Sequence, residues 1–457
     1  MFWCGAVIVG LVAVFYARLI DYGYRVFEAQ RAAHWWLPLL LTPAVGAASV
    51  WLTRALFRGA EGSGIPQVIA LLHSSRNDAS VLGRRLLSLR VVAGKILVSF
   101  LAILGGFTIG REGPTVQVGA ALMYNLRRFY PRPNAAIERQ LALAGASAGL
   151  SAAFNTPLAG IVFAIEELTR SFEQRTSGVL ITAIIFAGIV ALALNGNYTY
   201  FGTIEVGSSF PTLLAVAVVV TALLTGVLGG CFCWILLNTD RWMPASVKAL
   251  RLARPVLFGA LCGLAVAVLG VLAGGNTFGS GYKEASGLLN GDAQLNVLYP
   301  LLKIGSMIGS YLPGIPGGIF APSLSIGAGV GNALHLAFSH MSLPMLIALG
   351  MVGYLAAVTQ APITAFVIVM EMINGHALVI SLMATALLSS RVARLFAPPF
   401  YEALAQRFAQ QSARAVASAP STAEASQAPV AGDGTGSVAS EAQADGADDR
   451  RRHRPDA

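Results

Sequence analysis

Several short stretches of this sequence place polar or charged side chains inside apolar surroundings. Gly62-Ser63-Gly64-Ile65-Pro66 has the form of a loop that opens a helix. Its glycines let the backbone approach a ligand closely, and proline suits the first helical turn, where its missing N–H is not needed. Ser63 then carries a hydroxyl free to donate; the alternative is a plain serine turn cap. Gly110-Arg111-Glu112-Gly113-Pro114 sets an Arg and a Glu into the otherwise apolar run from Leu97 to Met123. A carboxylate there compensates the positive end of a helix. At membrane depth an ionised group is expensive unless it is paired or faces water. A carboxylate at a helix N-terminus can also occupy an anion position itself, leave when protonated, and yield the place to a free anion. Glu112 would then act as both gate and proton carrier.

A third stretch, Gly317-Gly318-Ile319-Phe320-Ala321-Pro322, begins another helix. The first amides of a helix have no internal partner, so the N–H groups of Ile319 and Phe320 can hold an anion without any lysine or arginine. Partial charges let such an ion leave, whereas a full charge holds it too tightly. Glu166 and Glu167 close the apolar run that starts at Pro157. Carboxylates are disfavoured at a helix C-terminus, so each is expected to be protonated or paired, with Arg170 close by. An intramembrane carboxyl is a proton-relay candidate. Tyr401, after Ala397-Pro398-Pro399-Phe400, offers a neutral phenol donor or an interfacial aromatic anchor.

The elements that must carry these groups are apolar and interrupted. Of 457 residues, 55% are hydrophobic and only 12% charged, against about 25% charged in soluble domains; lipid is the expected solvent. Runs at 37–56, 178–195, 211–237, 255–274 and 376–390 are long enough to span, and Phe2 to Tyr16 reads as a further membrane helix rather than a signal peptide. Others, at 96–109, 115–126, 157–165, 319–330 and 362–370, break at Gly or Pro after a few turns, as half-helices ending at a protein-lined site do. The net charge of +9 comes from bases between apolar runs and in the tail, a juxtamembrane pattern rather than a nucleic-acid face. Cys4, Cys231, Cys233 and Cys262 sit in apolar segments and form no zinc framework, and the six histidines form no metalloprotease motif. No metal is expected.

The chain also repeats itself. Lys95, Gly110, Pro114, Gly119 and Ala120 recur as Lys303, Gly318, Pro322, Gly327 and Ala328. Ala152, Pro157, Val162 and Glu166 recur as Ala357, Pro362, Val367 and Glu371, and Gly62-Ser63-Gly64 echoes Gly279-Ser280-Gly281. Broken helices at corresponding positions of two halves point to a transporter with its site near the midplane. The matches do not decide between parallel and inverted halves.

Together, GSGIP at 62–66, GREGP at 110–114, GIFAP at 318–322 and the late Tyr401 resemble the CLC family of chloride channels and chloride–proton antiporters, over nearly all of residues 1–405. The resemblance implies an all-α polytopic membrane protein of two inverted repeats of tilted and half-length helices. The transmembrane domain is expected over 1–402, with halves at about 1–200 and 205–402, followed by a mostly disordered cytoplasmic tail over 403–457. It further implies a homodimer in the lipid bilayer of a bacterial inner membrane, with no cofactor and no nucleic-acid partner. By motif, the hydroxyls of Ser63 and Tyr401 and the amides of Ile319 and Phe320 would bind chloride. Glu112 would be the external gating glutamate and Glu167 the internal proton-transfer glutamate. In nitrate-selective members a proline typically stands at the serine position, and the fluoride exporters lack GSGIP and the tyrosine, so chloride is the expected ion. Channel members usually replace the inner glutamate by an apolar residue. Glu112 and Glu167 together therefore favour a proton-coupled antiporter over the alternative, a passive voltage-gated channel. A membrane enzyme would need a nucleophile–base pair or metal cluster, and none stands out. Relative to the family the N-terminus reads as short, with the opening cytoplasmic helix unmatched and the first span clipped. No C-terminal pair of CBS domains is expected.

Overall fold

The computed structural model describes residues 2–131, 134–170, 174–196, 201, 211–292 and 295–417. The chain divides into two units, Met1–Ala413 and Arg414–Ala457. Only the last residues of α20 represent the second unit among those described. Of the tail expected from 403 onward, residues 403–417 are helical, continuing α20, and the rest lies outside the described residues.

The described elements are helices, and their order shows the repeat. The first half runs α1 (Phe2–Ala33), α2 (Pro38–Ala55), α3 (Ile65–Leu72), α4 (Arg76–Leu86), α5 (Leu89–Leu104), α6 (Glu112–Asn125), α7 (Ala135–Phe154), α8 (Pro157–Phe163) and α9 (Gln174–Asn195). The second runs α10 (Pro211–Leu237), α11 (Thr239–Trp242), α12 (Ala245–Ala253), α13 (Pro255–Leu272), α14 (Tyr282–Leu289), α15 (Tyr299–Tyr311), α16 (Phe320–His335), α17 (Leu343–Thr359), α18 (Pro362–Ile373) and α19 (Val379–Arg394). Then comes α20 (Phe400–Ala417). The pairs α1/α10, α2/α13, α3/α14, α5/α15, α6/α16, α7/α17, α8/α18 and α9/α19 correspond. Packing follows the same symmetry: α6 lies on α7 as α16 lies on α17, and α1 on α9 as α10 on α19. α2 meets α13 and α8 meets α18, each element touching its own counterpart.

The hand of the repeat is read from one contact. Gly110 and Gly318 form an isolated antiparallel bridge, with Gly110 N–H to Gly318 O at 2.8 Å and Gly318 N–H to Gly110 O at 2.7 Å. Equivalent residues that exchange equivalent hydrogen bonds are related by a two-fold axis across the pair, and α6 and α16 both begin just after it and lead away from each other. The halves are inverted.

Prolines begin α2, α3, α8, α13, α15, α17 and α18, where no internal N–H bond is lost. Several elements are too short to cross about 30 Å of hydrocarbon: α3 has 8 residues, α8 has 7 and α18 has 12. α1, by contrast, has 32 residues and continues well past the apolar stretch that ends at Tyr16. α7 and α17 carry no amphipathic signal because they are apolar on all sides. α7 is buried continuously from Leu141 to Phe154 and α17 from Met345 to Thr359, as expected for helices at the centre of a protein.

Close packing of these central helices depends on glycine. A methyl group on Gly350 would meet the Gly327 carbonyl and lie 2.9 Å from the Gly331 amide. Gly350→Val should therefore cost about 1–3 kcal/mol through overpacking, read as a lower unfolding midpoint of the detergent-solubilised protein. Gly178→Ala, where an added methyl meets nothing within 4 Å, should leave that midpoint unchanged or slightly raised.

Candidate functional site

Three of the motifs converge on one another through their backbones. Gly317 N–H donates to Gly62 O at 3.1 Å, and the Gly110–Gly318 bridge joins the second motif to the third. Gly113 lies against Ser63, so a methyl group added there would meet the serine hydroxyl. The chain reaches this geometry through positive φ at Gly62 (62°) and Gly64 (101°), a region that L side chains rarely adopt. Their counterparts Gly279 (63°) and Gly281 (82°) repeat it.

Buried donors hold the loop before Ser63. Lys95 Nζ donates to Ala60 O at 2.8 Å and to Gly62 O at 2.7 Å. In the other half Lys303 Nζ reaches Thr277 O at 2.9 Å, with Phe278 O and Gly279 O at 3.2 Å. Gln117 of α6 donates to Gly59 O at 3.0 Å and Leu86 O at 2.9 Å. The segment before Gly110 is fixed by Thr108, whose amide donates to Ser310 Oγ at 2.9 Å and whose hydroxyl donates to Thr277 O at 2.7 Å.

Around this junction sit polar groups with no completed hydrogen bond: Ser63 Oγ, Tyr401 Oη and both carboxylate oxygens of Glu112. All three residues are buried, at 1%, 0% and 0% exposure. The hydroxyls of Ser63 and Tyr401 are neighbours. The Tyr401 ring lies 6.0 Å from that of Phe320. Gly317 and Gly318 spend their amides on the other motifs, and the internal ladder of α16 is first seen at Ser323 N–H to Ile319 O. The amides of Ile319 and Phe320 thus belong to the turn that has no helical acceptor. The Glu112 carboxylate, at the start of α6, faces the Ala321 amide at the start of α16. Its neighbour Arg111 turns away to Asp21 of α1, at 2.8 Å. The structure therefore brings Ser63, Glu112, Ile319, Phe320 and Tyr401 together.

Glu166 and Glu167 part company. The turn carrying them, Ala164–Thr169, is a π-helix, a local widening common at functional sites. Glu166 reaches the other half, where its carboxylate accepts the amides of Ile363 at 3.1 Å and Thr364 at 2.6 Å. Its counterpart Glu371 returns the contact, accepting Leu158 N–H at 3.2 Å and Ala159 N–H at 2.8 Å. Each glutamate caps the helix that bears the other. Arg170 ion-pairs with Glu402 at 2.7 Å, so the arginine near the acidic pair in sequence is engaged by a third carboxylate. Glu167 is buried, at 5% exposure, and lies on the side of Tyr401.

A profile of the family described as voltage gated chloride channel matches residues 45–394. The chain belongs to the CLC family. Among curated CLC relatives, the H(+)/Cl(-) exchange transporter ClcA of Cronobacter sakazakii is 30% identical over 436 residues, covering 90% of each chain. The protein of that name from Citrobacter koseri is 30% identical over 455 residues, covering 94% of this chain and 91% of its own. Among solved structures, a slow cyanobacterial Cl-/H+ antiporter superposes with a TM-score of 0.74 at 25% identity, covering 90% of this chain and 98% of its own. A eukaryotic CLC transporter gives 0.70 at 21% identity, covering 89% and 73%, a likeness of fold.

Some residues of this CLC site escape a reading by motif. Lys95, Gln117 and Glu371 position the site without belonging to a pentapeptide, although Lys95 and Glu371 are visible as repeat matches. A vestibule of about 170 Å3 leads to Gly62 and Ser63 and is lined by Arg251, Arg407, Tyr311 and Phe408; nothing in the spacing of these residues joins them. Lys95→Met should strip donors from buried carbonyls at about 1–3 kcal/mol for each one left unsatisfied. A lower unfolding midpoint of the purified protein is the measurement.

Proposed function

We propose that this protein exchanges chloride for protons across the membrane. The observation that carries the reading is the buried Glu112 carboxylate at the facing N-termini of α6 and α16, beside the buried hydroxyls of Ser63 and Tyr401, none of them in a completed hydrogen bond. A carboxylate there occupies the place that favours a small anion. Protonation removes its charge, the side chain swings out, and chloride takes the position, held by two hydroxyls and the amides of Ile319 and Phe320. The proton on Glu112 is discharged to one side of the membrane, while Glu167 relays protons from the other. Because one spot is filled alternately by chloride and by the carboxylate, the two movements are coupled.

Arginines 54, 58, 85, 251 and 407 line cavities at the face from which the vestibule reaches Ser63. By the positive-inside rule this face is cytoplasmic, and the bacterial relatives support placement in an inner membrane. A homodimer is supported by α8 and α18, which are too short to span. They leave Leu158 and Ile363 about half exposed, with exposed backbone bonds at Leu158 and Ile363. Lipid tolerates exposed polar backbone poorly, and a second copy would cover this surface.

In proteoliposomes a chloride gradient should drive protons uphill. Glu112→Ala should abolish proton movement while chloride still flows, and Glu167→Gln should reduce proton transport to background. Chloride flux without any proton movement in the unmodified protein would make it a passive channel.

A further inference from the structure

A second cavity, of about 490 Å3, lies beside the vestibule. It is a partly open hollow bounded by the end of α2, the loop to α3, the end of α4, the α12–α13 junction and the loop at Leu312-Pro313-Gly314. Its charged lining is Arg54, Arg58, Arg85 and Arg251 against one acid, Glu61. That acid is engaged elsewhere: Glu61 Oε2 accepts the Gly59 amide at 2.8 Å. None of the four arginines takes part in the ion pairs found among the described residues. Arg58 Nε donates to Arg54 O at 2.9 Å, which fixes that side chain along the cavity wall.

Four guanidinium groups around one cavity repel one another, and a juxtamembrane role needs charge but not convergence. Guanidinium forks match phosphate oxygens in pairs, and the volume is within the usual range for small-ligand sites. The remaining wall, with Val50, Leu86, Phe258 and Phe408, is apolar. The lining thus suits a molecule with a multiply charged head and an apolar portion.

We propose that this cavity binds a phosphate-bearing polyanion, either a soluble di- or triphosphate or the phosphomonoester headgroup of a lipid, and that occupancy restrains chloride transport. The restraint follows from shared walls. Arg251, Glu61, Leu312, Gly314 and Phe408 line both this cavity and the vestibule that reaches Ser63. A bound polyanion neutralises Arg251 and puts negative charge beside the chloride route. Binding stands apart from the exchange reading; only the effect on flux rests on chloride transport.

The probe is inorganic pyrophosphate, titrated calorimetrically into the full-length detergent-solubilised protein at constant ionic strength. Chloride efflux is then measured from proteoliposomes with pyrophosphate on both sides. A parallel arm compares vesicles of phosphatidylcholine alone with vesicles containing phosphatidic acid. The comparison protein is Arg58→Gln/Arg85→Gln, whose altered residues do not line the vestibule; unaltered basal efflux shows that it folds. Pyrophosphate should bind the unmodified protein, slow its efflux severalfold, and lose about tenfold or more in affinity with the double variant. A response to phosphatidic acid alone, lost in the double variant, supports the site and identifies a lipid headgroup as its ligand. Equal responses of the two proteins, or no response to either probe, would overturn the site; binding with unchanged efflux would overturn the restraint. Proton movement enters none of these readouts, so failure of the exchange reading is seen separately.

Discussion

Two hydrogen bonds between Gly110 and Gly318 hold the positive ends of α6 and α16 to one point inside the protein, and most of the architecture follows from that juncture. Helix dipoles of opposite halves would otherwise have no reason to meet head to head, since their facing partial charges repel. The bridge, with the Gly317–Gly62 bond beside it, keeps them there. An anion relieves the repulsion, and in this structure the carboxylate of Glu112 is the anion at hand. No lysine or arginine side chain needs to touch the site: Lys95 is spent on backbone carbonyls and Arg111 on Asp21.

The unsatisfied polar groups around that juncture have to be weighed against the rest of the protein. Buried hydroxyls without partners each cost on the order of 1–3 kcal/mol, and an ionised carboxylate costs more. The surrounding framework meets that cost with reciprocal devices: lysines that collect carbonyls in both halves, and glutamates that cap each other's helices. Bonded lysines and crossed glutamate caps flank a site whose own polar groups are left unsatisfied. A carboxylate that filled its hydrogen bonds at rest would have little reason to move.

Much of this was legible in the residues. The broken apolar runs gave the half-helices, and Pro at their starts marked where they begin. The repeat matches gave the pairing of elements but not its hand, which depends on a contact between residues more than two hundred positions apart. The pentapeptides singled out Ser63 and Glu112 as polar groups among glycine and proline, and Ile319 and Phe320 by the free amides of a helix start; Ser63 alone also read as a turn cap. α7 and α17 were not picked out, since a helix buried on every side has no amphipathic period. Glu166 was not legible as a cap. Its donors are amides of the opposite half, and a carboxylate at the end of its own helix looks misplaced until that half is present.

The crossed caps have a consequence for how the chain is made. The amides at the start of α8 find their carboxylate on Glu371, 213 positions later. At about 5–20 residues per second of synthesis, that partner emerges roughly 10–40 s after the helix it serves. During this interval the early half sits in or near the bilayer with its glutamate and its helix start both unanswered. Its assembly is completed from the C-terminal side, and until then the early half carries polar backbone that lipid tolerates poorly.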